Sequence, residues 1–132
     1  MRMVKVKTAE LTGLALDWAV AQVVKPEGFV LRMNPEYVPP EPVLGIVMDA
    51  SDLENSWLKT GWSPSTEWIQ GGPLIDEHDV WLSDYDGACV ASCEPHFGRF
   101  IQEGSTNLIA ICRAIVATKL GEEVEVPQEL VS

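Results

Sequence analysis

Apolar residues near the N-terminus recur with the spacing of a helix. From Leu11 to Ala21 they occupy i, i+3 and i+4 positions, and most other positions up to Val24 are also apolar. A threonine hydroxyl can accept the free N–H groups of a first helical turn, so we expect Thr8 or Thr12 to cap this helix. A proline two residues after Val24 ends it, because proline disfavours helical geometry in the preceding residue. The sequence therefore predicts a long apolar helix that other parts of the chain cover.

A second apolar segment, near the C-terminus, predicts another long helix from about Ser105 to Leu120. Ser105 or Thr106 is expected to cap its beginning, for the same reason as in the first helix. Gly121 suits the left-handed conformation that commonly follows a last helical turn. Both ends of this helix are thus marked in the sequence.

Short apolar or alternating segments beside these helices predict β-strands. The predicted strands cover residues 3–7, 29–33, 43–48, 74–75, 80–82 and 122–126. A short helix is predicted to begin at Ser63, with Pro64 in the first helical position, and Gly71-Gly72-Pro73 ends it. Residues 83–104 and the proline-rich segment 34–42 carry weak order signals and are predicted to be loops.

These elements indicate one α+β domain over residues 1–132, a length that suits a single core. We expect a small, mostly antiparallel sheet packed against two long apolar helices, with a short helix and acidic loops. The composition is 46% hydrophobic, which excludes a disordered acidic tail. No apolar run reaches the length of a membrane span. The charged N-terminus is not followed by an apolar segment with a cleavage site, so we expect no signal peptide.

The charge is concentrated in the middle of the chain. Residues 34–104 hold thirteen acids and two bases, a net charge equal to the −11 of the whole sequence. A basic nucleic-acid binder is excluded, because phosphate neutralisation needs clustered lysine and arginine. An acidic surface would instead steer a basic partner, or imitate the charge of DNA.

Each long helix carries one interior charge, Asp17 in the first and Arg113 in the second. An unpaired charge in a covered helix is costly, whereas a paired one is tolerated. One hypothesis is a structural ion pair between Asp17 and Arg113 across a helix–helix contact. The alternative is that each side chain separately reaches solvent.

Other chemical motifs are weak. Cys89, Cys93, His96 and Cys112 could be imagined as zinc ligands, but there is one loose pair of short spacing and no second. We therefore expect no metal and no cofactor, with reduced cysteines. The acids of residues 76–79 lack an EF-hand pattern, and no nucleophile elbow or phosphate-binding loop is present. Catalytic residues are not indicated, so a non-enzymatic role is favoured.

Four of the five tryptophans lie in the acidic middle. Trp is enriched at the energetic centres of protein interfaces, but in a small domain it also anchors the core. We expect most of the five to be core anchors. Trp57, whose neighbours are Asn55, Ser56 and Lys59, is expected to be the most exposed.

Three segments of the chain resemble a known family. They are Lys5–Ala21, with Leu-Asp-Trp-Ala-Val-Ala; Trp62–Ile75, with Ser-Pro-Ser-Thr and Gly-Gly-Pro; and Ala117–Pro127, with Lys-Leu-Gly and Val-Pro. The order of these motifs resembles the NinX-like proteins of tailed bacteriophages and prophages, a small family of unknown function. The resemblance covers about half of the chain. It implies a protein of the host bacterial cytoplasm and supplies no catalytic residues.

The resemblance directs attention to the segments around Asp17 and Ser63. If they pack together, they would form a groove lined by Trp18, Trp62 and Trp68, with Ser63, Ser65, Thr66 and Gln70 as its polar groups. We therefore expect a phage accessory protein that binds a host or phage protein through its acidic, Trp-bearing middle. The alternatives are a ligand-binding protein or enzyme with a pocket near residues 63–73, and an acidic DNA mimic. Direct nucleic-acid or membrane binding is not expected, and the oligomeric state stays open.

Overall fold

The computed structural model of the chain describes residues 2–34, 38, 40–85, 87–93 and 101–131. These residues form an α+β fold with three small antiparallel sheets, where the sequence predicts one. The strands are β1 (Met3–Lys7), β2 (Phe29–Asn34), β3 (Glu41–Val47), β4 (Leu58–Gly61), β5 (Val80–Tyr85), β6 (Ala88–Cys93), β7 (Gln102–Gly104) and β8 (Glu123–Pro127). The helices are α1 (Gly13–Val24), α2 (Trp68–Gly71), α3 (Leu74–Glu77) and α4 (Asn107–Leu120), with 3₁₀ turns at Thr8–Glu10 and Gln128–Leu130.

The sheets are built from neighbours in sequence, except for the pair that joins the two ends of the chain. β1 pairs with β8, and this pairing places Lys5 opposite Glu125. β3 is the central strand between β2 and β4, and β6 is the central strand between β5 and β7. β4 is therefore an edge strand, and all four of its residues are exposed.

The core lies between α1, α4 and the sheets. α4 contacts α1, β6 and β7, and its buried side chains include Ile111 and Ile115. Its predicted ends are confirmed: Thr106 is the N-cap and accepts a hydrogen bond from the Ile109 amide, and Gly121 follows with a φ of 98°. In α1 the first residue is Gly13, after a separate 3₁₀ turn that begins at Thr8.

Three strands form where the sequence predicts no strand. β6 and β7 lie in the segment 83–104, which is predicted to be a loop. β4 begins within residues 49–60, for which the sequence favours no particular element. β6 is composed largely of small residues with weak strand preference, but it is hydrogen-bonded on both sides and covered by α4. Tertiary packing of this kind commonly overrides intrinsic β-propensity. The strand predicted at residues 74–75 is wrong, because these residues open α3.

The short helix predicted from Ser63 begins only at Trp68. Residues 63–67 form turns instead, in which the Ser63 carbonyl accepts the amides of Thr66 and Glu67. The Ser65 amide donates outside the segment, to Asp17 of α1. The hydrogen bond to Asp17 thus supplies a partner for an amide that has none inside the turn.

Candidate functional site

Asp17 fastens the segment after β4 to helix α1. The side chain is only 3% exposed, and its Oδ1 accepts the Ser65 amide at 2.8 Å. The backbone carbonyl of Asp17 accepts Nε1 of Trp62 at 2.9 Å. We call this arrangement of Asp17, Trp62 and Ser65 the Asp17 anchor. It joins parts of the chain separated by 45 residues or more.

Burial raises the pKa of Asp17 from 3.8 to about 6, against the opposing influence of the Ser65 side chain and amide. Ser65 Oγ lies beside the carboxylate, but does not complete a hydrogen bond with it. Desolvation disfavours the charged carboxylate and one good hydrogen bond only partly compensates it. The anchor therefore contains a carboxyl group that titrates near neutral pH.

The predicted ion pair between Asp17 and Arg113 is not formed. Arg113 Nε donates to the Leu11 carbonyl at 2.8 Å, and its Nη1 donates to the Glu103 carbonyl at 2.7 Å. Partial burial lowers the pKa of Arg113. The guanidinium thus binds two backbone carbonyls, one directly after the first 3₁₀ turn and one within β7. Asp17 and Arg113 therefore have separate partners.

Of the four polar residues predicted to line a groove, Gln70 and Thr66 have side-chain partners within the chain, whereas Ser63 and Ser65 take part through their backbone. Gln70 Oε1 accepts the Ser63 amide at 2.7 Å, and its Nε2 donates to the Gly61 carbonyl at 2.7 Å. The Thr66 hydroxyl contacts the Ser63 carbonyl at 3.4 Å. These hydrogen bonds, together with that of the Ser65 amide, stabilise the conformation of residues 61–70. The residues therefore have a structural role that needs no ligand.

The tryptophans divide differently from the expectation that most anchor the core. Trp62 is 8% exposed and packs edge-on against Phe29, and Trp18 is half-buried against the core. Trp68 and Trp81 are both more than half exposed, so the expectation that most of the five tryptophans anchor the core is wrong. Trp57 is 82% exposed, which confirms that it reaches solvent.

Trp57 stands at a cavity of about 590 Å³ that is lined by residues of the β2–β3–β4 sheet and of the segment before β4. The cavity, called here the Trp57 cavity, is lined by Arg32, Met33, Asn34, Val43, Asn55, Ser56, Trp57 and Leu58. The sheet supplies the first four residues, and the segment before and within β4 supplies the rest. A volume of this size is typical of pockets that bind small molecules or inserted side chains.

Further large apolar side chains are exposed near Trp57 in the chain. Met48 and Leu53 lie in the β3–β4 connection and Leu58 begins β4, and each is at least one-third exposed. We call these side chains and Trp57 the Trp57 surface. Large apolar groups exposed in one segment of a small protein are typical of interaction sites.

Arg32 is a residue of this candidate site that the sequence did not reveal. Its Nη2 donates to the carbonyls of Leu53 at 2.8 Å and Ser56 at 2.7 Å, and so ties the β3–β4 connection to β2. Its partners are backbone groups more than twenty residues away, which leave no side-chain pattern to recognise. The only signal is that an arginine interrupts an otherwise apolar strand.

The cysteines are Cys89 on β6, which is partly exposed, and Cys93 and Cys112, which are buried. Burial raises the pKa of both buried thiols, and the Asp17 carboxylate adds to the effect on Cys112. Within the described ranges no three His, Cys, Asp or Glu residues form a group that could hold a metal ion. His96, the imagined fourth member of the cysteine cluster, lies outside the described residues.

The helices in the described part of the chain all fall short of the length and apolar character that crossing a membrane requires. No curated protein matches the chain. Residues 7–119 match the family described as Bacteriophage P22, NinX. This match spans the helix α1, the Asp17 anchor, the Trp57 cavity and nearly all of α4. The chain therefore belongs to the NinX family of bacteriophage proteins.

Proposed function

We propose that this protein is a non-enzymatic phage accessory protein. It acts in the host bacterial cytoplasm by binding another protein, of the host or of the phage, through the Trp57 surface. The family places the chain among phage proteins, and the exposed Trp57 at the edge of a cavity carries the binding proposal.

Exposure of Trp57 is costly for the isolated protein. A tryptophan side chain offers a large apolar area at low conformational cost, and burying that area against a partner recovers hydrophobic free energy. Trp62, only five residues away, is inserted in the core, so this region of the fold can bury a tryptophan. The different placement of Trp57 supports a role in contact with another molecule.

The surrounding charge bears on how a partner would arrive. The chain carries a net charge of −11, which would speed the approach of a basic protein and keep other acidic proteins away. The binding of a DNA mimic would depend on charge alone, whereas the binding that we propose depends on Trp57 as well.

The experiment is photo-crosslinking from residue 57. A benzophenone amino acid replaces Trp57 in one version of the protein and Trp81 in another, and both are exposed to lysate of host cells that carry the phage. Trp81 is the matched control, because it is also a largely exposed tryptophan but lies in a different sheet. The protein that crosslinks from 57 is then purified, and its affinity is measured by calorimetry.

For that purified partner we expect Trp57→Ala to weaken binding at least about tenfold, as for a tryptophan at an interface centre. Trp81→Ala should leave the affinity within about threefold of the parent protein. Equal affinities of the parent and Trp57→Ala would refute the proposal. Binding that ignores both tryptophans but falls steeply with salt would support the DNA-mimic alternative instead.

A further inference from the structure

Hydrogen bonds among its own residues hold the connection between β3 and β4 in shape. The Asp49 amide donates to Ser56 Oγ at 2.8 Å, and the Ser56 amide donates to the Asp52 carbonyl at 3.0 Å. Oδ1 of Asp52 accepts the amide and the side chain of Asn55, both at 3.3 Å. The Met48 amide donates to the Trp57 carbonyl at 2.9 Å and closes the loop. Residues 48–57 therefore present a preformed surface.

Arg32 fixes this loop against the sheet. Its two hydrogen bonds reach the carbonyls of Leu53 and Ser56, one on each side of the acidic tip at Glu54. The cavity beside Trp57 is thus bounded by the sheet and by a loop that is already held in place. A site that is organised before binding loses less entropy when a partner enters it.

Half of the residues that line the Trp57 cavity are apolar. Met33 and Val43 contribute from β2 and β3, and Trp57 and Leu58 contribute at the start of β4. The polar members of the lining are Arg32, Asn34, Asn55 and Ser56, and one terminal nitrogen of Arg32 is already engaged by two carbonyl oxygens. The four apolar side chains offer a packing surface to an apolar occupant.

The loop that forms one rim of the cavity is acidic. Its residues 48–57 contain three acids and no base, and the nearest bases along the chain are Arg32 of the cavity lining and Lys59 of β4. Asp49, Asp52 and Glu54 lie on the loop that carries Trp57, and all three are exposed. Such a rim attracts lysine and arginine side chains and opposes acidic ones.

We infer that the Trp57 cavity receives apolar side chains from a partner segment whose flanking residues are lysine or arginine. The inference rests on the proposed function and names the chemistry of the segment that the Trp57 surface recognises. The apolar side chains enter between the sheet and Trp57, and the flanking cations lie against Asp52 and Glu54. Arg32 acts as a positioning residue, because it holds the loop that forms one wall.

The test uses three fluorescent octapeptides and measures their anisotropy with the intact protein. The first has Leu-Phe at its centre, glycine on either side and two lysines at each end. The second replaces Leu-Phe by Ser-Ser, and the third replaces the lysines by glutamates. We expect the first peptide to bind at least about tenfold more tightly than either of the others.

Variants of the protein assign the binding to the cavity. Trp57→Ala should weaken the first peptide at least about tenfold, whereas Trp81→Ala should not. Glu54→Gln should weaken it about two- to threefold at low salt, because an exposed charge pair contributes little more than that. Glu125→Gln removes one charge from another sheet, so it controls for the net charge of the protein.

A loop-mobility readout tests the role of Arg32. Arg32→Gln should weaken the first peptide and speed amide hydrogen exchange at Ser56, while Lys59→Gln, which also removes one positive charge, should leave that exchange unchanged. Unchanged exchange at Ser56 would overturn the positioning role.

Each of three results would overturn the inference. The serine peptide could bind as tightly as the Leu-Phe peptide, the Leu-Phe peptide could bind Trp57→Ala as tightly as the parent protein, or no peptide could bind at all. The crosslinking experiment keeps the proposed function separate. If the purified partner depends on Trp57 but the peptides do not follow these rules, the inference fails while the proposed function stands. If the partner does not depend on Trp57, the proposed function itself fails.

Discussion

The buried carboxyl of Asp17 should make stability depend on pH in a direction that an ion pair would reverse. Its pKa is raised from 3.8 to about 6, mainly because burial disfavours the charged form. Between about pH 4 and pH 6 the folded protein therefore holds a proton that the unfolded chain has already released. The stabilising contribution is complete below pH 4 and is lost as the pH rises through 6.

The magnitude follows from the pKa difference. At about 1.4 kcal/mol for each pKa unit, ionised Asp17 costs about 2–3 kcal/mol at neutral pH relative to its protonated form. In Asp17→Asn this dependence disappears, and an asparagine side-chain oxygen can still accept the Ser65 amide. We therefore expect the variant to gain about 2–3 kcal/mol over the parent protein as the pH rises from 4 to 7.

Urea unfolding of both proteins across this pH range measures the difference, with tryptophan fluorescence as one signal and circular dichroism as another. Glu125→Gln serves as the control for removing one negative charge from an acidic chain. If Asp17→Asn instead lost stability relative to the parent as the pH rose, the carboxylate would be stabilised by a cation, as in the Asp17–Arg113 pair. A flat difference would show that the carboxyl is solvated.

Two further predictions concern packing and a buried hydrogen bond. Gly71→Ala should lower the free energy of unfolding by about 2–3 kcal/mol, because a Cβ at Gly71 would collide with the Pro64 carbonyl oxygen. Gly61→Ala is the matched control, because the atom nearest to the added Cβ is 3.9 Å away. It should change the free energy of unfolding by less than about 0.5 kcal/mol. Equal effects of the two substitutions in urea unfolding would refute the steric argument. Thr8→Val should cost about 1–2 kcal/mol, since Thr8 Oγ1 donates to the Gly121 carbonyl at 2.7 Å and valine cannot. An unchanged urea midpoint would mean that water replaces the hydroxyl.

The elements predicted best are those whose signals are local. The N-cap Thr106 and the following Gly121 mark both ends of α4 within the sequence itself. The start of the short helix differs from the prediction because residues 63–67 form a turn, which is fastened to Asp17 by a hydrogen bond across 48 residues. β6 was missed because its stability comes from strands on both sides rather than from its own residues.

The candidate site shows the same division. Polar neighbours on both sides of Trp57 were enough to predict its exposure, because a short polar segment rarely enters a core. The cavity beside it needs β2, β3 and the loop to meet, and Arg32 creates that meeting through backbone carbonyls. Backbone acceptors have no residue identity, so this contact leaves nothing for sequence reasoning to detect.

The Asp17 anchor and the Trp57 surface lie at opposite ends of one four-residue strand. Trp57 precedes β4 and faces solvent, whereas Trp62 follows it and donates to Asp17 in the core. The anchor fixes one end of β4, and the Arg32 hydrogen bonds fix the loop that leads into the other. The Asp17 side chain accepts the Ser65 amide and so holds the segment after β4 against α1. Because Asp17→Asn can preserve that hydrogen bond, it should alter the pH profile of stability without changing affinity at Trp57. A loss of partner binding in Asp17→Asn at pH 7 would show instead that the charge of Asp17 itself reaches the interface.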